Sequence, residues 1–169
     1  MRFPGCIPII IIAGAFFMAG GCNNSDDQLE FEQEAFAEPD EITRTDETGE
    51  ILDENERDWR IAPMYAGPVW IDKPAYPNPT RGDDLVIELN TIGPEVLSRI
   101  TVVHYPNLDF NRRRILFETE TGNQTFFSLP IVPRDLDQTR NYEDAIGKHR
   151  IFIFDGNNNL ITYGDIKIE

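Results

Sequence analysis

Beyond Trp59, apolar side chains recur at every second position through much of the chain, the period of a strand with one face in a core. Leu85, Ile87 and Leu89 alternate with Val86, Glu88 and Asn90. The run bounded by Leu97 and Tyr105 is rich in branched residues (Ile100, Thr101, Val102, Val103), which suit a pleated, half-buried surface. Val69-Trp70-Ile71, Ile115-Leu116-Phe117 and Phe126-Phe127-Leu129 predict further strands; Pro130 and Pro133 confine the chain after Leu129 to a sheet edge. Ile151 to Phe154 leads through Asp155-Gly156-Asn157-Asn158-Asn159 into Leu160 to Tyr163, a hairpin whose turn residues tolerate positive φ. Apolar residues on both faces of its first arm predict a central strand. Ile166 and Ile168 are out of phase with Ile161 and Tyr163, which predicts a bulge near Gly164-Asp165. The pattern gives about seven short strands, and little helix beyond a turn around Tyr142 to Ile146, stopped by Gly147. An all-β, immunoglobulin-like antiparallel β-sandwich over residues 61–169 is the expected fold.

Charge changes the picture upstream. Between Asn23 and Arg60 stand 15 acidic side chains and three arginines, about −12 of a net charge of −15. So one-signed and apolar-poor a stretch predicts a disordered acidic tether over residues 22–60. Its weak exception is Asp27-Gln28-Leu29-Glu30, a start resembling a capping box, after which Phe31 and Ala35 or Leu29 and Phe36 share a helical face before Pro39. A flexible tether of this length reaches roughly 30 to 35 Å.

Residues 1–21 read as a signal segment: Arg2, an apolar run from Ile7 to Phe17 too short for the roughly 20 residues of a membrane span, then small residues. Ala19-Gly20-Gly21-Cys22 resembles the bacterial lipobox, with Ala19 where leucine is usual. That resemblance implies diacylglycerol on the Cys22 thiol, cleavage before it, and the two or more acyl chains that stable anchoring requires. Asp26, Asp27, Glu30, Glu32 and Glu34 resemble the export signal of Bacteroidetes-type lipoproteins, implying the outer membrane and display at the cell surface. The other cysteine, Cys6, lies in the leader, so a disulfide is not expected.

Ala75-Tyr76-Pro77-Asn78-Pro79-Thr80-Arg81-Gly82 and the strand after it resemble the opening of type IX secretion sorting domains, and Gly147 to Phe154 resembles their closing hairpin. Family membership implies an immunoglobulin-like fold and a role in export. This chain departs from the family in ending Ile166-Lys167-Ile168-Glu169, without basic character. Physically, the two prolines fix an extended lead-in to a strand.

Chemistry-bearing patterns are sparse. His104 and His149 fall within predicted strands and read as structural or surface residues. No nucleophile elbow, phosphate-cradling glycine loop or His-Glu-x-x-His occurs, so no catalytic residue, metal or cofactor is expected. Asp155, Asn157 and Asn159 are spaced like calcium-loop ligands, but Leu160 and Ile166 stand where glycine and glutamate belong. Arg112, Arg113 and Arg114 form the one basic cluster, a candidate contact for an anion, a lipid phosphate or the acidic tether. Nucleic acid is excluded as a partner by the acidic balance. Trp70 and Tyr76, with Tyr105 and Phe110, are candidate aromatic contacts for a glycan. The sequence therefore predicts a non-enzymatic, lipid-anchored envelope protein for binding or assembly. Its alternatives are an accessory subunit of an export machine that recognises a partner by strand addition and a glycan-binding module.

Overall fold

A computed structural model describes residues 24–169. Two antiparallel sheets face each other, as the alternation predicts. Strands β3 (Val69–Tyr76), β4 (Leu85–Thr91) and β7 (Phe126–Ile131) form the first, in the order β3-β4-β7. Strands β5 (Arg99–His104), β6 (Arg114–Glu120), β8 (Gly147–Asp155) and β9 (Leu160–Ile168) form the second, in the order β6-β5-β8-β9. The seven strands match the expected all-β sandwich, with β8 central and the proline-bearing β7 at an edge. Leu85, Ile87, Leu89, Leu129, Ile131, Ile100, Val102, Ile151, Ile153 and Ile166 are fully buried and fill the space between the sheets.

The expected bulge at Gly164-Asp165 is not there. Pairing of β8 with β9 runs unbroken from Gly147↔Ile168 to Ile153↔Thr162 and shifts only at Ile153/Phe154. The phase change arises because β9 is covered on both sides. Trp59 is buried at Gly164, where an added Cβ would come within 2.2 Å of its ring. Tyr163 meets the Phe31 ring at 5.1 Å, and Asp165 is buried against Arg150.

The larger correction concerns residues 24–60, which are not a loose tether. Asn24–Ala35 form the helix α1, and Arg44–Thr45 (β1) pairs with Ile51–Asp53 (β2). Phe31 and Ala35, the face that the sequence allowed, are buried in the core, while Leu29 and Phe36 stay exposed. Composition alone misled because it does not count the backbone: a cation from far along the chain holds this segment by its carbonyls, while two of its acids pair with its own arginines, Asp40 with Arg57 and Glu34 with Arg60. Arg150, on β8, makes a two-pronged ion pair with Asp165 on β9, both contacts at 2.7 Å. Its remaining terminal nitrogen donates to the carbonyls of Glu34, Ala35 and Ala37 at 3.0, 3.3 and 2.7 Å. A guanidinium therefore satisfies carbonyls that the end of α1 leaves open. Arg60 pairs with Glu34 and lies 5.8 Å from the centre of the Phe31 ring.

Two further buried residues complete the clasp. Asp58 accepts from the backbone N–H of Asp165 at 2.6 Å and of Thr43 at 2.8 Å. Burial, with the neighbouring Asp165 charge, pushes its carboxyl up to about 7 despite those donors. Asn78, fully buried in the Tyr-Pro-Asn-Pro motif, donates to the carbonyls of Thr43 and Asp165 and accepts from the N–H of Lys167. The motif thus ties the N-terminal segment to β9 while connecting β3 to β4.

Removing one partner of a buried ion pair strands the other charge in a dry site. Arg150→Ala is expected to lower stability by about 3–5 kcal/mol and to open the 24–58 segment to limited proteolysis before the sandwich unfolds. Denaturant unfolding and timed digestion check both.

Candidate functional site

The outer face of the β3-β4-β7 sheet carries the first candidate. Antiparallel pairing sets Trp70 opposite Asn90, and Asn90 opposite Phe126, so the three side chains form one row across the strands. Trp70 is 44% exposed, Phe126 49%, and Ile92, two residues beyond Asn90, 74%. Strand spacing puts the two rings about 10 Å apart, with the Asn90 amide between them. Large apolar side chains gathered on a flat face, with polar groups among them, mark a contact surface more than a solvated one.

Tyr76, the other aromatic candidate, is separate from this row. It pairs with Val86 at the opposite end of the strand, and its hydroxyl donates to Glu88. That bond and partial burial push its phenol up to about 12. Lys73 sits 3.5 Å from Glu88 and 5.3 Å from the Tyr76 ring centre. Tyr76 is thereby held as part of a polar brace on the sheet.

The three arginines diverge. Arg112 pairs with Asp109 at 3.4 Å, Arg113 lies 5.8 Å over the Phe154 ring, and Arg114 donates to the Asp135 carbonyl at 3.2 Å. None of these contacts is to the acidic segment, and the three do not converge on one anion. Nearby, Tyr105 and Phe110 join an aromatic cluster with Phe36 and Phe152, with centroids 4.9–5.3 Å apart. This cluster closes over the outer face of the second sheet, although Phe110 remains 54% exposed.

Sequence reasoning did not bring His104 and His149 together; the β5-β8 register does. His104 pairs with Ile151, which places His149 diagonally beside it on the same face. The His149 Nδ1 lies 3.3 Å from the His104 Nε2, and the His149 Nε2 is 2.7 Å from the Ala145 carbonyl. Burial, the second imidazole and Arg114 hold His104 down at about 3, and burial also lowers His149. They border a half-open groove of about 640 Å³ with Leu136, Asp137, Asp144 and Lys148. Among the described residues no three metal-ligating side chains converge, there or elsewhere.

At the hairpin tip the Asp155 carboxylate accepts from Asn157 and Asn159 N–H groups at 2.8 and 2.7 Å and from the Tyr65 hydroxyl at 2.6 Å. Burial works against ionisation, but these donors outweigh it and hold the carboxyl below its usual range. Its oxygens are engaged by the turn and by Tyr65, in keeping with a hairpin. Cys22 and the leader, residues 1–21, lie outside the described residues.

No family model matches the chain, and no curated protein does. Among solved structures it is similar to an LPMO from Kitasatospora papulosa, with 11% identity and a TM-score of 0.34. The match covers 52% of this chain and 48% of that one, so the chain spans about half of that structure's length.

Opposed titrations arise from this geometry. Asp58, raised to about 7, holds in the folded state a proton that the unfolded chain releases. Stability from this group therefore rises as pH falls from about 7 towards 4. His104, depressed to about 3, refuses a proton that the unfolded chain takes up. Its contribution is lost as pH falls below about 6.5. In denaturant titrations between about pH 4.5 and 7 the two should offset in the wild type. Asp58→Asn should then lose stability steadily on acidification, and His104→Gln should gain it. Parallel profiles for wild type and Asp58→Asn would rule out the Asp58 assignment.

Proposed function

We propose that this chain is a lipid-anchored envelope protein whose sandwich binds polysaccharide along the Trp70–Asn90–Phe126 row. The observation that carries the reading is the outward position of Trp70, a residue that would be core in a sheet built only for packing. The apolar faces of sugar rings stack on aromatic rings, and hydroxyls between them take hydrogen bonds from an amide such as Asn90. A flat row on a rigid sheet presents these groups with little ordering cost. Anchoring rests on Cys22 and the small residues before it, and the acidic residues after it fit display at the outer membrane surface. The row binds without catalysis, because two apolar rings and an amide supply no acid, base or nucleophile.

Two measurements test this. Trp70→Ala and Phe126→Ala should each weaken retention on envelope polysaccharides by about 1–2 kcal/mol, roughly five- to thirtyfold in affinity, while Ile115→Ser, away from the row, leaves it unchanged. Equal binding by all three variants would remove the platform. Cys22→Ser should release the folded protein from membranes; retention of that variant in the membrane fraction would refute lipid anchoring at this residue.

A further inference from the structure

A long tether would have freed the domain from any particular relation to the bilayer. The ordered segment removes that freedom. Cys22 stands two residues before Asn24, the first residue of α1, so the attachment point is within about 7 Å of the helix start. The helix is in turn fixed to the sandwich by Arg150, Arg60 and Phe31. The body must sit at the membrane surface, with one of its ends towards it.

The structure names the end. Gln28, in the second turn of α1, accepts from the backbone N–H of Met64 at 3.3 Å, and Tyr65 reaches Asp155 at the β8-β9 tip. The start of the helix, the 3-10 turn Pro63–Tyr65 and the hairpin tip therefore share one pole of the sandwich. Ile92, just past β4, is bonded through its N–H to Pro68 in the same region. Leu29, Met64 and Ile92 are each more than half exposed there. We infer that this pole rests on the lipid surface, with Leu29 and Met64 at the headgroup layer; the inference depends on the lipid anchoring proposed above. Shallow apolar side chains beside an acyl anchor add a second membrane contact, as stable attachment favours. Asp26 and Asp27, in the first turn of α1, set the lipid preference. Anionic headgroups repel them, so the fit is to a zwitterionic surface.

This posture stands the strands upright on the bilayer. The Trp70–Asn90–Phe126 row, which crosses the strands, then runs parallel to the membrane and faces sideways. A chain lying along the surface, and not one rising from it, meets the row lengthwise.

The mature full chain, lipidated at Cys22, offers no other thiol, so an introduced cysteine takes a single environment-sensitive fluorophore. Met64→Cys labels the inferred contact pole. Ile146→Cys, 56% exposed just before β8, labels the opposite pole, about 26 Å away along that strand. In phosphatidylcholine vesicles carrying a headgroup-level quencher, the label at residue 64 should lose most of its emission and the label at 146 little. Adding phosphatidylglycerol should weaken the loss at 64. Equal quenching at the two positions, or stronger quenching at 146, in a chain that floats with the vesicles overturns the orientation while sparing the anchor. Failure of the lipidated chain to float overturns both.

Discussion

The placement of residues 24–60 depends on one buried ion pair. Arg150 and Asp165, 7% and 1% exposed, face each other across the two arms of the last hairpin. Alone, such a pair gains little, because desolvating two charges costs about as much as their attraction returns. What makes the site work is that each partner has further bonds to satisfy. The guanidinium takes three carbonyls at the end of α1, and the Asp165 backbone engages Asp58 and Asn78. Helix, β9 and the Tyr-Pro-Asn-Pro turn are thus fixed in one polar knot, and the apolar contacts of Phe31 and Ala35 depend on it.

The sandwich was legible because its signal is local. Alternation in Leu85 to Leu89, the run of branched residues before Tyr105 and the Asp-Gly-Asn turn each lie within one strand or hairpin, and all fall where the structure has them. The knot was not legible, because its partners lie 113 to 116 residues apart between α1 and Arg150. A stretch with 15 acids looks unable to fold when the distant guanidinium that holds its carbonyls is not counted. The sequence offered two helical faces, Phe31 with Ala35 or Leu29 with Phe36, and could not choose between them, since an isolated helix of that length is unstable in water and gains its stability from packing. The misplaced bulge has the same origin: β9 looked out of phase only while its outer side was assumed bare.

The candidate site divides likewise. Trp70 stood out by residue type, whereas Phe126 was concealed beside Phe127, one of the pair being buried and the other exposed. Only the register with Asn90 shows which of the two joins Trp70. The histidines show the limit of spacing arguments more sharply. Forty-five positions apart in sequence, they meet through a diagonal of β5 and β8 that no motif encodes.

The same knot decides which sheet face is free to recognise anything. With α1 seated by Arg150, Phe36 stacks 5.2 Å from Phe152 and Phe31 tilts against Tyr163, so one layer of the second sheet's outer face is spent on intramolecular packing. Tyr105 and Phe110 extend that cover over the remaining rings. Aromatic residues on this side, which by type alone rank with Trp70, are therefore largely committed to the fold. Among the described residues the first sheet has no such cover over Trp70, Asn90 and Phe126. An acidic segment that looked like a spacer thus acts as the lid of one sheet. By closing that side it leaves the aromatic row on the opposite face as the exposed one.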